Sequence, residues 1–236
     1  MRDSDNILTT TAAARLLGVA TSTVQMWMES GALASWKTPG GHRRTHRADV
    51  DRLLARLPGR AAIPTEEFTP RPQPGYPVGR DEAGRLLALA AAGLVDTPAE
   101  PRFDRIVRLA AQVTGSPIAL VSLLTSTRQW FKARVGLAAQ ETPREWAFCS
   151  HAVLHDAPFV VEDAAADPRF RDNPLVQEEP RIRFYAGVPL RDRAGEALGT
   201  LCVIDREPRK LRAAELQALM DLAAIAADEI GAGAGR

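Results

Sequence analysis

The chain is poor in cysteine: of its 236 residues only Cys149 and Cys202 carry a thiol. Two thiols with no zinc spacing exclude a disulfide-stapled scaffold and a cysteine-built metal centre, and they point to a reducing, cytoplasmic setting. No apolar run is long enough to span a bilayer, and no basic start is followed by an apolar leader, so no membrane partner is expected. Net charge is almost absent, with 30 Lys and Arg against 29 Asp and Glu, so bulk charge points to no partner. No Ser-His-Asp order, phosphate-cradling loop or metal-binding carboxylate set occurs; the chain is therefore read as not an enzyme, with no catalytic residue assigned. No internal repeat is visible. What is present is an ordinary globular composition, 45% hydrophobic and 25% charged, long enough for one large domain or two small ones.

The charge is unevenly distributed. Residues 1–60 hold nine Lys and Arg against five Asp and Glu, a balance of +4, whereas residues 81–236 hold nineteen against twenty-two, a balance of −3. A basic head on a mildly acidic body fits a nucleic-acid-binding domain joined to a regulatory one. Between them Pro58, Pro64, Pro70, Pro72, Pro74 and Pro77 crowd one segment. Proline removes backbone donors and blocks helices, so residues 58–80 read as an extended linker. The expected domains are a head over 6–57 and a body over 81–231, with the glycine-rich tail fraying.

In the head, Thr9 or Thr10 can cap a first helix bearing Ala13, Ala14, Leu16 and Leu17, ended by Gly18. A second helix starts at Thr21-Ser22, with Val24 and Trp27 on its core face, and ends before Gly31. Lys37-Thr38-Pro39-Gly40-Gly41-His42-Arg43-Arg44 then forms a tight turn that gathers four basic side chains and has no core-building use. A third helix carries Val50, Leu53, Leu54 and Leu57. This is helix-turn-helix, wing, helix. A recognition helix places its N-terminal residues at base edges, which nominates Thr21, Ser22, Thr23, Gln25 and Met26. Gln25 suits a bidentate bond to adenine, and Thr23 or Met26 a thymine methyl. Lys37, His42, Arg43 and Arg44 would sit on phosphates.

Leu8-Thr9-Thr10, Leu16-Leu17-Gly18-Val19, Thr23-Val24, Trp27, Gly31, Leu33 and Thr38 to Arg44 together resemble the MerR/excisionase family of winged-helix DNA-binding domains. The resemblance implies double-stranded DNA as partner and no cofactor for the head. Two positions depart from the family pattern. Gln25-Met26 precede the recognition-helix Trp where a basic residue is usual, and Thr45 follows the Arg pair where an aromatic is usual.

In the body, helices are expected over 81–92, 100–114, 145–154 and 212–230. Strands are expected over 117–125, 129–135, 159–161, 184–190 and 198–205. That order gives an α+β fold with an antiparallel sheet flanked by helices. Trp146-Ala147-Phe148-Cys149-Ser150-His151-Ala152, Asp167-Pro168-Arg169-Phe170, Asn173-Pro174, Arg183 to Leu190 and Gly199 to Asp205 are similar to a GAF domain. The resemblance implies a small-molecule pocket, for which Phe148, Cys149, His151, Asp163, Asp167, Arg169, Phe170 and Tyr185 are the candidates. Asp167-Pro168-Arg169-Phe170 also reads as a capped turn that needs no ligand. Cys149 and His151, two apart on a helix, do not converge on one metal, and His151 with His155 lacks further ligands, so no metal is assigned. Cys202 reads as core.

These readings combine into a transcriptional regulator with a DNA-binding head and a body that senses a small-molecule effector or redox signal and pairs two chains. Apolar faces bearing Leu86, Leu87 and Leu89, and Leu216, Leu219, Leu222, Ala223, Ala226 and Ile230, would make the homodimer. Two other readings stand beside this one: an excisionase-like architectural factor whose body only oligomerises, and a thiol-based redox enzyme or sensor.

Overall fold

The structure, a computed structural model, describes residues 7–17, 21–54 and 66–233. It divides into two compact units, one up to Thr65 and one from Glu66. Gly18, Val19, Leu57, residues 58–65 of the expected linker and the last three residues lie outside the described ones.

In the first unit, β1 (Ile7–Thr9) runs directly into α1 (Thr10–Leu17) and α2 (Thr21–Ser30) follows. Thr9 Oγ1 accepts from Ala12 N–H at 3.0 Å, satisfying a donor that the first helical turn leaves open. β2 (Trp36–Lys37), β3 (Arg43–His46) and α3 (Arg47–Leu54) complete the unit. The sheet order is β1-β3-β2, with Leu8 opposite Thr45 and Lys37 opposite Arg43. Ala13, Leu17, Val24, Met28, Leu33 and Val50 are buried in its small core. Trp27, expected in that core, is half-buried, and Met28 takes the inner position.

The second unit is an antiparallel six-stranded sheet flanked by helices. α4 (Glu82–Ala92) and α5 (Pro101–Thr114) precede it. Asp81 Oδ1 caps α4 by accepting from Gly84 N–H, and Pro101 opens α5, where its missing donor costs nothing. β4 (Ile118–Leu124), buried on both faces, and β5 (Arg128–Val135) form the first hairpin. β6 (Glu141–Pro143), a 3-10 turn over Arg144–Trp146, α6 (Cys149–Ala152), β7 (Phe159–Val161) and α7 (Pro174–Gln177) follow. β8 (Phe184–Arg191) and β9 (Ala197–Asp205) form the second hairpin, and α8 (Ala213–Gly233) closes the chain. The sheet order β6-β5-β4-β9-β8-β7 sets the two long hairpins side by side through β4 and β9. α5 packs on α8, and together they cover β4, β5, β8 and β9. A separate apolar cluster forms between Ile118, Leu120, Phe131, Tyr185, Cys202 and Ile204 of the sheet and Phe148, Cys149, Ala152 and Phe170.

Three expectations change here. The segment 66–80 is not a free linker: Phe68 and Tyr76 are buried, Tyr76 Oη donates to Ser126 O at 2.6 Å, and Ser126 N–H donates to Glu67 O at 2.9 Å. Prolines forbid a helix there but do not forbid packing. The expected 145–154 helix is two short turns, split where buried Arg144 donates from Nε to Ser150 Oγ at 2.8 Å and from Nη1 to Thr125 O. Most of each face expected to join two chains is used inside one: Leu86, Leu89, Leu219, Ala223, Ala226 and Ile230 are buried, while Leu87, Leu216 and Leu222 are half-buried.

Candidate nucleic-acid interface and ligand cavity

The first turn of α2 exposes Thr21 and Ser22, and the next exposes Gln25 and Met26, while Val24 and Met28 hold the inner face. The β2–β3 hairpin closes with Thr38 N–H donating to His42 O at 2.9 Å and Gly41 N–H to Thr38 O at 2.8 Å. Gly41 sits at φ 79°, a left-handed backbone that glycine adopts without Cβ strain. One groove results, bounded by Thr21, Gln25 and Glu29 of α2 and by Lys37, His42, Arg43 and Arg44 of the hairpin, with Thr9, Thr10 and Thr11 along its base. Ser22 and Met26 do not line it, and the Thr23 side chain lies outside the described ones.

The two arginines of the turn differ in role. Arg43 Nη1 donates to Met28 O and to Ser35 Oγ, both at 3.1 Å. That guanidinium satisfies a carbonyl near the end of α2, where positive charge is favourable, and Arg43 also lines the groove. Arg44 donates only to its neighbour's carbonyl, Arg43 O, at 2.9 Å among the bonds described, and Lys37 and His42 are exposed. Thr45, in the place of the usual aromatic, is fully buried with Oγ1 donating to Ala34 O at 2.7 Å. The aromatic contact of this hairpin is instead Trp36 on His46, with ring centroids 4.6 Å apart. The sequence reading missed Glu29, one helical turn beyond Gln25 in the same groove.

In the body, a cavity of about 580 Å³ opens between β4, β5, the 3-10 turn and α7. Its walls are mainly apolar, with Ile118, Leu120, Phe131 and Ile182 prominent, and Gln129, Glu141, Thr142, Cys149, Glu179, Tyr185 and Arg206 supply polar groups. Thr142 Oγ1 is buried with no hydrogen-bond partner. A cavity of this size with few polar groups has the form of a small-molecule site.

Cys149 Sγ stands at the polar end. It accepts from Thr200 Oγ1 at 3.1 Å, Gln129 Nε2 at 3.2 Å and Tyr185 Oη at 3.2 Å, with Ser122 Oγ at 3.4 Å and Cys202 Sγ at 3.9 Å. Burial pushes the Cys149 thiol up, but its hydrogen bonds with Cys202, Ser122, Thr200 and Tyr185 outweigh it and hold it below the usual thiol range. Cys202 is pushed well up by the neighbouring Cys149 sulfur and by burial. Burial, then the Cys149 charge, raises Tyr185, so its hydroxyl stays protonated and remains a donor.

Of the expected pocket residues, Phe148, Cys149 and Tyr185 line this cavity; His151, Asp163, Asp167, Arg169 and Phe170 do not. Phe170 stacks on Phe148 at 4.1 Å, one layer removed from the cavity wall. Arg169 Nε donates to Asp167 Oδ1 at 2.9 Å and its guanidinium lies over the Phe159 and Phe170 rings, which is the capped-turn alternative. Asp163 Oδ1 accepts from Ala165 N–H in a local turn. His151 and His155 both stack on Phe159, at 5.9 and 5.4 Å. Among the described residues no group of three or more His, Cys, Asp and Glu side chains is placed to hold a metal ion. Gln129, Thr142 and Arg206 are cavity residues the sequence reading missed, because each reaches it from a different part of the fold.

Comparison with known proteins agrees with this architecture. A cyclic di-GMP phosphodiesterase of Pseudomonas aeruginosa is 51% identical over 136 residues, which is 58% of this chain and 23% of that protein. The chain thus spans under a quarter of that relative's length. Among solved structures, the GAF domain of a phosphoenolpyruvate-protein phosphotransferase from Acinetobacter is 19% identical and aligns over 67% of this chain and 96% of that one, with a TM-score of 0.49. The corresponding domain from Coxiella burnetii is 18% identical over 64% and 95%, also at 0.49. Free methionine-R-sulfoxide reductase from Neisseria meningitidis is 16% identical over 69% and 97%, at 0.46. A helix-turn-helix domain profile matches residues 7–58, and because the GAF domain profile matches residues 98–230, more than half of the sequence, the chain belongs to the GAF domain family.

Proposed function

We propose that this protein is a DNA-binding transcriptional regulator whose GAF domain senses a small molecule or redox signal. The observation that carries this reading is the groove in the head, where the exposed first turns of α2 and the basic hairpin face one another. A recognition helix and a wing must present themselves on one side to reach base edges and phosphates together. Gln25 is the residue for base readout; Lys37, His42 and Arg44 are the phosphate contacts. The Thr38 to Arg44 turn supports membership of the MerR/excisionase class. In the body, the mainly apolar cavity and the unpartnered Thr142 hydroxyl support a small effector with an apolar body and a hydrogen-bonding group. The Pseudomonas relative matches only the GAF part, so the likeness supports the sensing domain and not a phosphodiesterase activity. A cytoplasmic homodimer is part of the proposal. No helix among the described residues is long and apolar enough to cross a membrane.

The test is binding of the full chain to duplex DNA at low ionic strength. Expected are association that weakens steeply with salt and, for Gln25→Ala, a changed sequence preference at adenine positions, selected from a random pool. Absence of association with any duplex at low salt overturns the regulator reading.

A further inference from the structure

We propose that Cys149 and Cys202 form a reversible disulfide when Cys149 reacts with a small alkyl hydroperoxide that enters the body cavity. The inference deepens the sensing role proposed above and rests on the cavity being the sensing site.

The two sulfurs are 3.9 Å apart although the residues are 53 positions apart in sequence. α6 places Cys149 over the sheet, and β9, between β4 and β8, places Cys202 beneath it. A disulfide needs about 2.05 Å between sulfurs, so the pair must close by about 2 Å. Around Cys149 Sγ the sheet supplies donors from strands that are neighbours only in the fold: Gln129 on β5, Tyr185 on β8 and Thr200 on β9, all within 3.2 Å. A neutral thiol is a weak acceptor. Three hydroxyl and amide donors aimed at one sulfur, away from water, match the thiolate, which is the nucleophilic form. Gly187 makes this possible for Tyr185: a Cβ there would lie 2.1 Å from the Tyr185 hydroxyl.

Reach and selectivity follow from the walls. Cys149 lines the cavity, and the surrounding Leu120, Phe131, Leu175 and Ile182 favour a neutral organic peroxide over hydrogen peroxide. The Cys149 thiolate attacks the terminal oxygen of the hydroperoxide. The O–O bond breaks, the alkoxide leaves as the alcohol after taking a proton, and Cys149 becomes a sulfenic acid. The Cys202 sulfur, losing its proton, attacks Cys149 Sγ, and the S–O bond breaks to release water. In sum, two thiols and one hydroperoxide give one disulfide, one alcohol and one water; a dithiol reductant reverses the change.

The experiment treats the full-length protein with stoichiometric tert-butyl hydroperoxide or hydrogen peroxide and follows it by non-reducing intact mass and peptide mapping. The expected result is loss of two hydrogens' mass, a Cys149–Cys202 cross-linked peptide, reversal by dithiothreitol and a faster reaction with the alkyl peroxide. Cys202→Ser should stop at a Cys149 sulfenic acid trapped by dimedone, and Cys149→Ser should yield neither product. Tyr185→Phe should oxidise about tenfold more slowly near neutral pH, as for a rise of about one pKa unit, with the gap closing at alkaline pH where thiolate is supplied anyway. Free thiols after treatment, or oxidation no faster than in the urea-unfolded chain, overturn the pair, and the wild-type product decides this even if a variant misfolds. Effector-dependent DNA binding without the disulfide would overturn the pair while leaving the sensing role. The disulfide without any change in DNA affinity would support the pair and remove its sensing role.

Discussion

Arg43 and Arg44 are adjacent and chemically identical, yet their surroundings separate them. Arg43 is tied to Met28 O and Ser35 Oγ, while Arg44 lines the groove with no bond beyond its neighbour's carbonyl among those described. Arg44→Ala should therefore reduce the slope of log affinity against log salt by about one and weaken all sequences alike. Arg43→Ala should instead lower stability by about 1.5–3 kcal/mol, the scale of a hydrogen bond involving a charged group; urea titration beside salt-dependent binding separates the two. His151 gives a prediction in pH. Burial, with the Arg169 charge nearby, holds its imidazole below the ordinary 6.5. Above 6.5 both folded and unfolded forms are neutral and no penalty exists. As pH falls through that value the unfolded chain takes up a proton that the native state resists, so stability drops, and it levels once the native ring protonates. His151→Gln should lose less melting temperature than wild type between about pH 7.5 and about pH 5.5. An equal loss in both proteins would remove His151 as the source.

At the scale of elements, the most exposed liability is a buried charge cluster joining α4, the 3-10 turn and the β4–β5 hairpin. Glu82 accepts from Arg85 at 2.7 and 2.8 Å and from Arg144 at 3.4 Å. All three side chains are buried, and the Arg144 guanidinium also faces Tyr76 at 4.5 Å. Glu82→Ala would leave two buried guanidiniums without their counter-charge, a change that costs about 3–5 kcal/mol in such settings. Urea unfolding should show that drop; a loss under about 1 kcal/mol would mean water reaches the site. The sequence shows Glu82 and Arg85 three apart on α4 but not their burial, because Arg144 arrives from the 3-10 turn. What was legible were elements with a strong local pattern: β4, β5, β8 and β9 as apolar runs, α5 by helical spacing, and the head by its turn and caps. β6 and α7 are three and four residues long, too short for any period to show. In the 66–80 segment the dense prolines read as linker, while Phe68 and Tyr76, the two aromatics that anchor it, carry no periodic signal. The pairing of Cys149 with Cys202 depends on β9 lying between β4 and β8, which is a property of sheet order and not of either residue's neighbourhood.

At the scale of the whole molecule, a head with a balance of only +4 over residues 1–60 neutralises few phosphates, so a single copy would bind weakly at physiological salt. Two heads on one assembly convert the second contact into an intramolecular one, a gain of about 10²–10⁴ where geometry allows. Most of the side chains first nominated for pairing are buried in the core of one chain, so the surface of the proposed dimer is sought elsewhere on the body. Leu109 and Val113, one turn apart on α5, and Met220 and Ile225 on α8 remain exposed at 46, 41, 38 and 50%, and these two helices pack on one another. Exposed apolar side chains on two packed helices are candidates for an interaction surface, and a second copy of the chain is the partner that would double the heads. Introducing Leu109→Glu and Ile225→Glu together should convert the dimer to a monomer in sedimentation velocity at micromolar protein. Neither position is in the core, so unfolding by urea should stay near wild type. Operator affinity should fall by about 10²–10⁴, while the salt slope per molecule halves because one head now acts alone. A wild-type chain that sediments as a monomer and still binds its operator tightly would show that the head needs no partner, and would return the exposed α5 and α8 side chains to the ordinary apolar fraction of a protein surface.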